Sequence, residues 1–532
     1  MPKNWLETIK FNPQKFDLFC IFSLLIASLF IYLICLGNLP LRDWDEGTRA
    51  LVAREIYRTG NWLYPTINNQ PYFAKPPLMM WLVAFCYHVG GVNEFTTRFL
   101  PSLLTALGPP LLYLIGKEIF DNKLSPLFSS LVYLTLLPVV RHGRLMMLDG
   151  MIITFFLFSL WCLLKSKSNK FWGLGIGLGL GLVAFNKSIL VFVFVLIMFI
   201  FGLWEYLYTK HQTKVIVIGT NYYLYLGLII GFFPLLWWYF LQYQYYGYEF
   251  IRVHFFNQGF DRVSKNVEGN SGAIWYYVLE LVKYAIPWFI FLPQGLLYAW
   301  KNRKESWSIL TLTGFFIYLA IISIMETKLP WYIMPIYPFF ALIIGSYLAS
   351  QWQKVKIFSK FYLEFFGFLS LVSALSIIYF GLVEKQLILV VMAITLSVFM
   401  GLVAWKIKQG DRLFIPILAL GIYLTLSFFI MSKSWIWELN EAFAVKPVAN
   451  LIRENTLPQT RVYMSFGYNR PSLDFYSDRP VIAANISNLL QNLSNEEVYL
   501  LLDESNLASL NLPYQVLGTT DNFTLIKCQI LR

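Results

Sequence analysis

The chain reads as an α-helical polytopic membrane protein with about 13 transmembrane helices and a small C-terminal α/β domain. Three observations predict that class. Of its 532 residues, 57% are hydrophobic and only 14% are charged, where a soluble chain carries about 25% charged residues. Apolar runs of roughly 18–22 residues recur along most of the chain, each long enough to cross a bilayer core. The lysines gather in short loops between those runs, and a single alternation of sides puts every cluster on the same face. That placement also accounts for the net charge of +12 without a basic nucleic-acid face. A soluble protein of this composition would have to expose a largely apolar surface.

The elements follow in order. Lys3, Lys10 and Lys15 precede the first run, so the N-terminus is expected in the cytoplasm. The run Asp17–Gly37 is too long for a signal-peptide core and lacks a small-residue cleavage site, so it reads as an uncleaved anchor. The next loop, 38–95, then lies outside, and its short apolar piece Pro76–Gly91 is expected at the outer interface, with Trp81 and Tyr87 at headgroup depth. Spans two and three are expected near 96–114 and 124–140, with Lys117 and Lys123 inside between them. Span four ends in Leu164–Lys170, and spans five and six form a hairpin near 171–185 and 188–207. Lys210 and Lys214 then mark the inside. Span seven, 221–241, leads to an outer loop, 242–274, and span eight returns to Lys301–Ser306. Span nine exits at Met325–Trp331, span ten covers 332–350 and is followed by Lys354 and Lys356, and three further spans end near 431.

From Glu438 the composition changes. "RVYMSFG", "PVIAAN", "EEVYLLLDE", "YQVLGTT" and "NFTLIKC" read as strands. The expected division is therefore a membrane domain, 1–435, and an extracytoplasmic α/β domain, 436–532.

Several outer turns carry chemistry-bearing residues. "RDWDEGTR" (Arg42–Arg49) places Asp43, Asp45 and Glu46 directly after the first span. The segment continues with the spacing of a short amphipathic helix lying along the membrane. Carboxylates held there would be partly desolvated, and desolvation raises their basicity as a general base requires. A solvated loop is the plain alternative. In "YFAKPPL" (Tyr72–Leu78), Lys75 precedes the interfacial helix, either as a snorkelling anchor or as an ammonium aimed at a headgroup phosphate. "RHGRLMMLDG" gathers Arg141, His142, Arg144 and Asp149, and its arginines could hold a phosphate bidentately. The alternating glycines of Gly173–Ser188 sit inside a span, so they serve close helix packing and not a nucleotide loop. Lys187 at the end of that run has no topological explanation. "ETKLPWYIMPIYP" adds Glu326, Lys328, Tyr332 and Tyr337, and its prolines favour a broken helix lining a cavity. The five cysteines are scattered without metal spacing. An ion transporter would place ionisable groups near mid-membrane. Here both signs converge at one interface, which suits chemistry on a lipid headgroup: cations hold a leaving phosphate and a carboxylate activates an attacking hydroxyl.

The run from Asp45 to Leu107, together with "RLMMLDG", "FNKS" and "ETKLPWYIMPIYP", resembles the polyprenyl-phosphate-sugar glycosyltransferases of the GT-C class. The similar branch is the bacterial one that includes the aminoarabinose transferase of lipid A and relatives of protein O-mannosyltransferases. The resemblance implies a sugar donor on undecaprenyl phosphate or a similar polyprenol. It implies transfer to a lipid, glycan or protein acceptor outside the plasma (inner) membrane, with inversion at the anomeric carbon. By the family pattern Asp45 is the catalytic carboxylate with Glu46 beside it, and Asp149 is a second acid. Lys75 is the lysine that meets the donor phosphate, and Lys187, Lys328 and Tyr332 line the site; outside that pattern, the residues themselves offer Arg144 and Arg262 as further phosphate contacts. Two departures stand out. The aminoarabinose branch carries an acid where Ala74 stands, and Glu-His where Asn257 and Gln258 stand, with His254 nearby. Both count against a bound metal and against aminoarabinose as the sugar. No cofactor is called for; a divalent metal is the one left open. Protein O-mannosyltransferase-like activity is the alternative within enzymes, and a lipid or small-molecule flippase is the alternative outside them.

Overall fold

In hydrocarbon every backbone N–H and C=O must find a partner within its own segment, so lipid-embedded apolar runs fold as helices. The computed structural model describes residues 13–209, 221–266, 269–353, 359–440, 442–486, 488–489 and 496–530. Among these, ten helices are long and apolar enough to cross a membrane, and the bent pair Leu124–Leu134 and Leu137–Gly143, turned by 61°, makes an eleventh. Two of the thirteen expected spans take other forms. Gly173–Ala184 is an apolar helix of only 12 residues. The run leading to Lys301 breaks into Tyr276–Tyr284, Trp288–Phe291 and Leu292–Lys301. Pro287 and Pro293 stand at its joints, where the missing N–H and the fixed φ interrupt a helix. Lys3, Lys10, Lys210, Lys214, Lys354 and Lys356, which the sidedness expectation used, lie outside the described residues.

The chain divides into two compact units. The first comprises Met1–Cys35, Phe73–Leu78 and Pro101–Trp435; the second comprises Leu36–Tyr72, Met79–Leu100 and Ile436–Arg532. The simple division at 435/436 is thus replaced by a discontinuous one, because much of the loop after the first span belongs to the second unit.

In the first unit the alternating glycines do the packing work expected of them. A Cβ built on Gly177 would lie 2.1 Å from the Gly227 carbonyl carbon, and one on Gly181 would lie 2.1 Å from the Gly231 oxygen. The helices Gly173–Ala184 and Tyr222–Tyr246 therefore touch backbone to backbone. Without a hydrophobic drive between helices in lipid, such close van der Waals contact is a principal source of association.

In the second unit five strands form one sheet: β3 (Val462–Met464), β4 (Val481–Ala483), β5 (Glu496–Asp503), β6 (Tyr514–Thr520) and β7 (Phe523–Ile530), after a two-residue ladder of β1 (Thr66–Ile67) and β2 (Gln70–Pro71). Their order is β4-β3-β5-β7-β6. β3 is parallel to both β4 and β5, whereas β5–β7 and β6–β7 are antiparallel. Alternation along the strands feeds two cores. Leu501 and Leu525 join Val445, Val448 and Ile452 of the helix Val445–Asn455 on one face, and Val498, Leu500, Leu502 and Ile526 pack together on the other. The helix Asp45–Thr59 is no membrane-surface helix. Ala50–Ala53, Arg49, Arg54 and Ile56 are all buried, so its apolar side is consumed inside the unit.

Gly181→Val forces two backbones apart, where overpacking typically costs about 1–3 kcal/mol and more when backbone must move. The expected outcome is a clearly lowered thermal midpoint in detergent, while Gly367→Ala, with open space around its Cβ, leaves the midpoint near that of the parent.

Candidate active site

The short segment Phe73–Leu78 enters the first unit, and the pair Pro76–Pro77 restricts its backbone. A hydrogen-bonded chain holds it from the other side. His254, on the π-helical turn Arg252–Phe260, is buried. Its Nδ1 lies 2.7 Å from the Phe73 carbonyl oxygen and its Nε2 lies 3.0 Å from the Tyr239 hydroxyl. A carbonyl only accepts, so Nδ1 carries the proton and Nε2 accepts from Tyr239. Tyr239 in turn lies 2.5 Å from the Ser188 hydroxyl, which must donate to it. Burial pushes the His254 pKa down to about 4, and the nearby Lys75 charge adds to that fall. The neutral tautomer is thereby fixed, and so is the carbonyl two residues before Lys75.

A cavity of about 550 Å³ opens beside this segment. Its polar lining includes Lys75, Lys187, Ser188, Gln258, Arg262 and Tyr332, and its apolar lining includes Phe192, Val193 and Ile321. Lys75 Nζ donates to Gln258 Oε1 at 3.1 Å. Lys187 Nζ stands 3.5 Å from Asp149 Oδ1 and 4.7 Å from the centre of the Tyr332 ring. Arg262 donates to the Tyr332 hydroxyl at 3.3 Å. Asp149 is placed by the first turn of the helix Leu148–Ser166. Tyr332 comes from the 3₁₀ turn Pro330–Ile336, which breaks the helix entry as its prolines suggest. Lys75, Asp149, Lys187, Arg262 and Tyr332 thus come together in the first unit.

Three expected site residues have other roles. Arg144 is wholly buried and donates to the carbonyls of Ile31 at 2.5 Å and Ile34 at 2.6 Å, with its guanidinium 4.9 Å from the Trp435 ring centre. It caps the end of the first helix and does not line the cavity. Lys328 donates to the carbonyls of Ile322, Ser323 and Met325 at the end of the helix Ser306–Ile324. Burial lowers its pKa. Glu46 is correspondingly not a reacting carboxylate. Its oxygens accept from Arg98 Nε at 2.8 Å and Nη2 at 2.9 Å, and from the Arg42 N–H at 2.6 Å, with both ionic side chains 0% exposed.

Asp45 lies in the second unit at the start of the helix Asp45–Thr59. Its carboxylate is 31% exposed and accepts from Arg49 at 2.6 Å. Asp43 is instead tied down by Arg470 at 2.7 Å and by the Ser472 side chain and N–H. Ser188, Tyr239 and the full role of His254 were missed at the sequence level. "FNKS" offered Ser188 directly after Lys187, but nothing in the spacing links 188, 239 and 254. Among the described residues no group of three or more His, Cys, Asp or Glu could hold a metal ion.

The architecture is that of an integral membrane protein of the GT-C fold. A solved structure of ArnT from Cupriavidus metallidurans bound to undecaprenyl phosphate matches 97% of this chain and 98% of that one, with a TM-score of 0.76 at 16% identity. The apo oligosaccharyltransferase from Archaeoglobus fulgidus matches with a TM-score of 0.53 at 11% identity, over 92% of this chain and 66% of that one. More particularly, the chain is similar to the polyprenyl-phosphate-sugar glycosyltransferases. The family model described as dolichyl-phosphate-mannose-protein mannosyltransferase matches residues 23–249. An undecaprenyl phosphate-α-4-amino-4-deoxy-L-arabinose arabinosyl transferase from Pseudomonas fluorescens is 26% identical over 66% of this chain and 63% of its own length. One from Proteus mirabilis is 26% identical over 63% and 60%. The chain thus spans about three fifths of the length of these curated relatives.

Two outcomes test the geometry. Glu46→Ala leaves the Arg98 guanidinium buried without its partner and costs about 3–5 kcal/mol, whereas Asp45→Asn keeps an oxygen acceptor for the nearly buried Arg49 at a partly exposed position and costs less than that; thermal midpoints in detergent compare them. The depressed His254 pKa means that the unfolded chain binds more protons below pH ~6.5. Its stability contribution is complete above that pH and lost as pH falls toward about 4. The gap in midpoint between the parent and His254→Gln therefore narrows on acidification.

Proposed function

We propose that the chain is a membrane glycosyltransferase that takes a sugar from a polyprenyl-phosphate donor and passes it to a hydroxyl or amine. The observation that carries this is the mixed lining of the cavity in the first unit: the cations Lys75, Lys187 and Arg262 together with mostly apolar side chains. That pairing fits a phosphate ester on an isoprenoid chain. The relatives named as undecaprenyl-phosphate arabinosyl transferases and the neighbour bound to undecaprenyl phosphate support the same donor chemistry.

The reaction is a single displacement. The acceptor heteroatom attacks the anomeric carbon as the bond from that carbon to the phosphate oxygen breaks, with inversion. The electron pair leaves on the polyprenyl phosphate, whose added charge the three cations offset. The acceptor proton passes to a carboxylate, and Asp45 is that base by the family pattern. Asp149 holds Lys187 in place through their ion pair. The lysine distribution supports an N-terminus in the cytoplasm and a second unit outside the plasma membrane. The mannosyltransferase family match favours a second reading, transfer to Ser or Thr of a secreted polypeptide.

Lys75→Ala removes a charge-assisted contact worth about 1.5–3 kcal/mol, so the full-length protein should bind undecaprenyl phosphate about 10- to 100-fold more weakly. Asp45→Asn should lower transfer about 10²–10⁴-fold and leave that binding unchanged. Undecaprenyl phosphate bound equally by the parent and Lys75→Ala, or a fully active Asp45→Asn, overturns the respective assignment. A gradient-free detergent preparation that binds the lipid but transfers no sugar to any glycolipid or polypeptide supports a flippase instead.

A further inference from the structure

Within the second unit, one aromatic residue stands in a conformation that its side chain should avoid. Trp44 has φ 62° and ψ −115°. These are the angles of the first central residue of a type II′ turn, a position that glycine normally fills. Holding a bulky residue there costs about 1–3 kcal/mol and persists only where the surroundings enforce it. They do: the Gly47 N–H donates to Arg42, the Thr48 N–H donates to Trp44, and the neighbouring Asp43 is clamped by Arg470 and Ser472. The result is an indole that is 55% exposed directly beside Asp45. A glycine would hold the turn without strain, so the turn does not explain the tryptophan.

The indole is not loose. It stacks on Tyr468 with ring centres 4.8 Å apart and planes 27° from parallel. Tyr468 is backed by Phe466 at 4.7 Å, and Phe466 by Phe443 at 5.4 Å. The loop bearing Tyr468 follows the carboxyl end of β3 and is pinned by Asn469 to the Ala483 N–H and by Ser465 to Asp503. β3 and β5 are parallel neighbours whose following connections leave in opposite directions, one to β4 and the other toward β6. In open α/β sheets, ligands bind at the carboxyl ends of strands beside such a switch point.

We infer that Trp44, backed by Tyr468, is a stacking platform for a pyranose ring of a saccharide acceptor, set beside the Asp45 carboxylate. This rests on the transferase reading and deepens it by assigning the acceptor class: a glycan or glycolipid sugar, not a polypeptide side chain. A rigid, exposed aromatic face suits the flat C–H face of a pyranose, and binding to it orders few rotamers. Trp44 and Tyr468 are positioning residues for the acceptor and take no proton.

The test uses the full-length protein in detergent, with methyl β-D-glucopyranoside, N,N′-diacetylchitobiose and a Ser/Thr-containing hexapeptide as probes. Saturation-transfer NMR reads their binding. In parallel, undecaprenyl phosphate binding reads the donor site. The parent should bind at least one of the two saccharides. Trp44→Gly should weaken that binding about tenfold or more, a loss of about 1.4 kcal/mol. Trp44→Phe should recover part of it, and Tyr468→Ala should weaken it as well. Undecaprenyl phosphate binding should stay unchanged throughout, and the thermal midpoint of Trp44→Gly should not fall, because glycine relieves the turn. Saccharide binding that is absent from the parent, or equal in the parent, Trp44→Gly and Tyr468→Ala, overturns the platform. So does hexapeptide binding that is lost in Trp44→Gly. A parent that binds the saccharide but not undecaprenyl phosphate overturns the donor reading and leaves the platform standing.

Discussion

The second unit depends on one buried ion pair. Glu46 and Arg98 lie 52 residues apart, and both are wholly enclosed. A charge so placed is tolerated only when its partner and its remaining hydrogen bonds are all supplied. They are supplied here by backbone. Arg98 also donates to the carbonyls of Leu36, Leu39 and Pro40, and Glu46 accepts the Arg42 N–H. One guanidinium therefore fixes the course of the chain from Leu36 to Glu46. Since Asp45 and Trp44 belong to that stretch, the orientation of the exposed carboxylate and the strained indole follows from a pair that has no solvent contact.

The same logic sorts the cations of the first unit. In a helix the last four carbonyls have no partner within the helix, and in an apolar setting each unmet carbonyl is costly. Arg144 and Lys328 answer that need at the ends of Pro13–Leu33 and Ser306–Ile324, where cations are also favoured by the helix dipole. Lys75, Lys187 and Arg262 differ in that each reaches a side chain beside a cavity: Gln258, Asp149 and Tyr332 respectively. A cation that pairs with side chains beside empty space can be re-partnered by an anion. One that closes a helix end cannot without unmaking that end.

Sequence reading reached the fold because lipid leaves few options. The helical runs, the five C-terminal strands and the packing role of the glycines all follow from local pattern. It failed where the outcome depended on partners far along the chain. "DWDE" holds three carboxylates that spacing alone does not rank; the family pattern singled out Asp45 with Glu46 beside it, and contacts with Arg98 and Arg470, remote in sequence, separate the buried Glu46 and the clamped Asp43 from the partly exposed Asp45. Likewise Arg144 and Lys328 matched the pattern of phosphate ligands, since basic residues look alike whether they meet a carbonyl or a phosphate. The run 276–301 misled for a local reason: hydropathy does not register that its prolines stop the helix.

The positions of the cavity charges also bear on how the protein can work. A carrier that moves a solute through the bilayer needs ionisable groups along the route, usually at broken helices near mid-membrane. In the first unit Lys187 falls between two helices, Lys75 sits in a linker and Arg262 follows a π-helical turn, while Asp149 opens a span in its first turn. Each is at the end of a segment, and the apolar part of the cavity carries no alternating charge. Under the proposed transferase reading, that arrangement would hold a phosphate for bond breaking in place, where fixed cations act on the developing charge without reorganising.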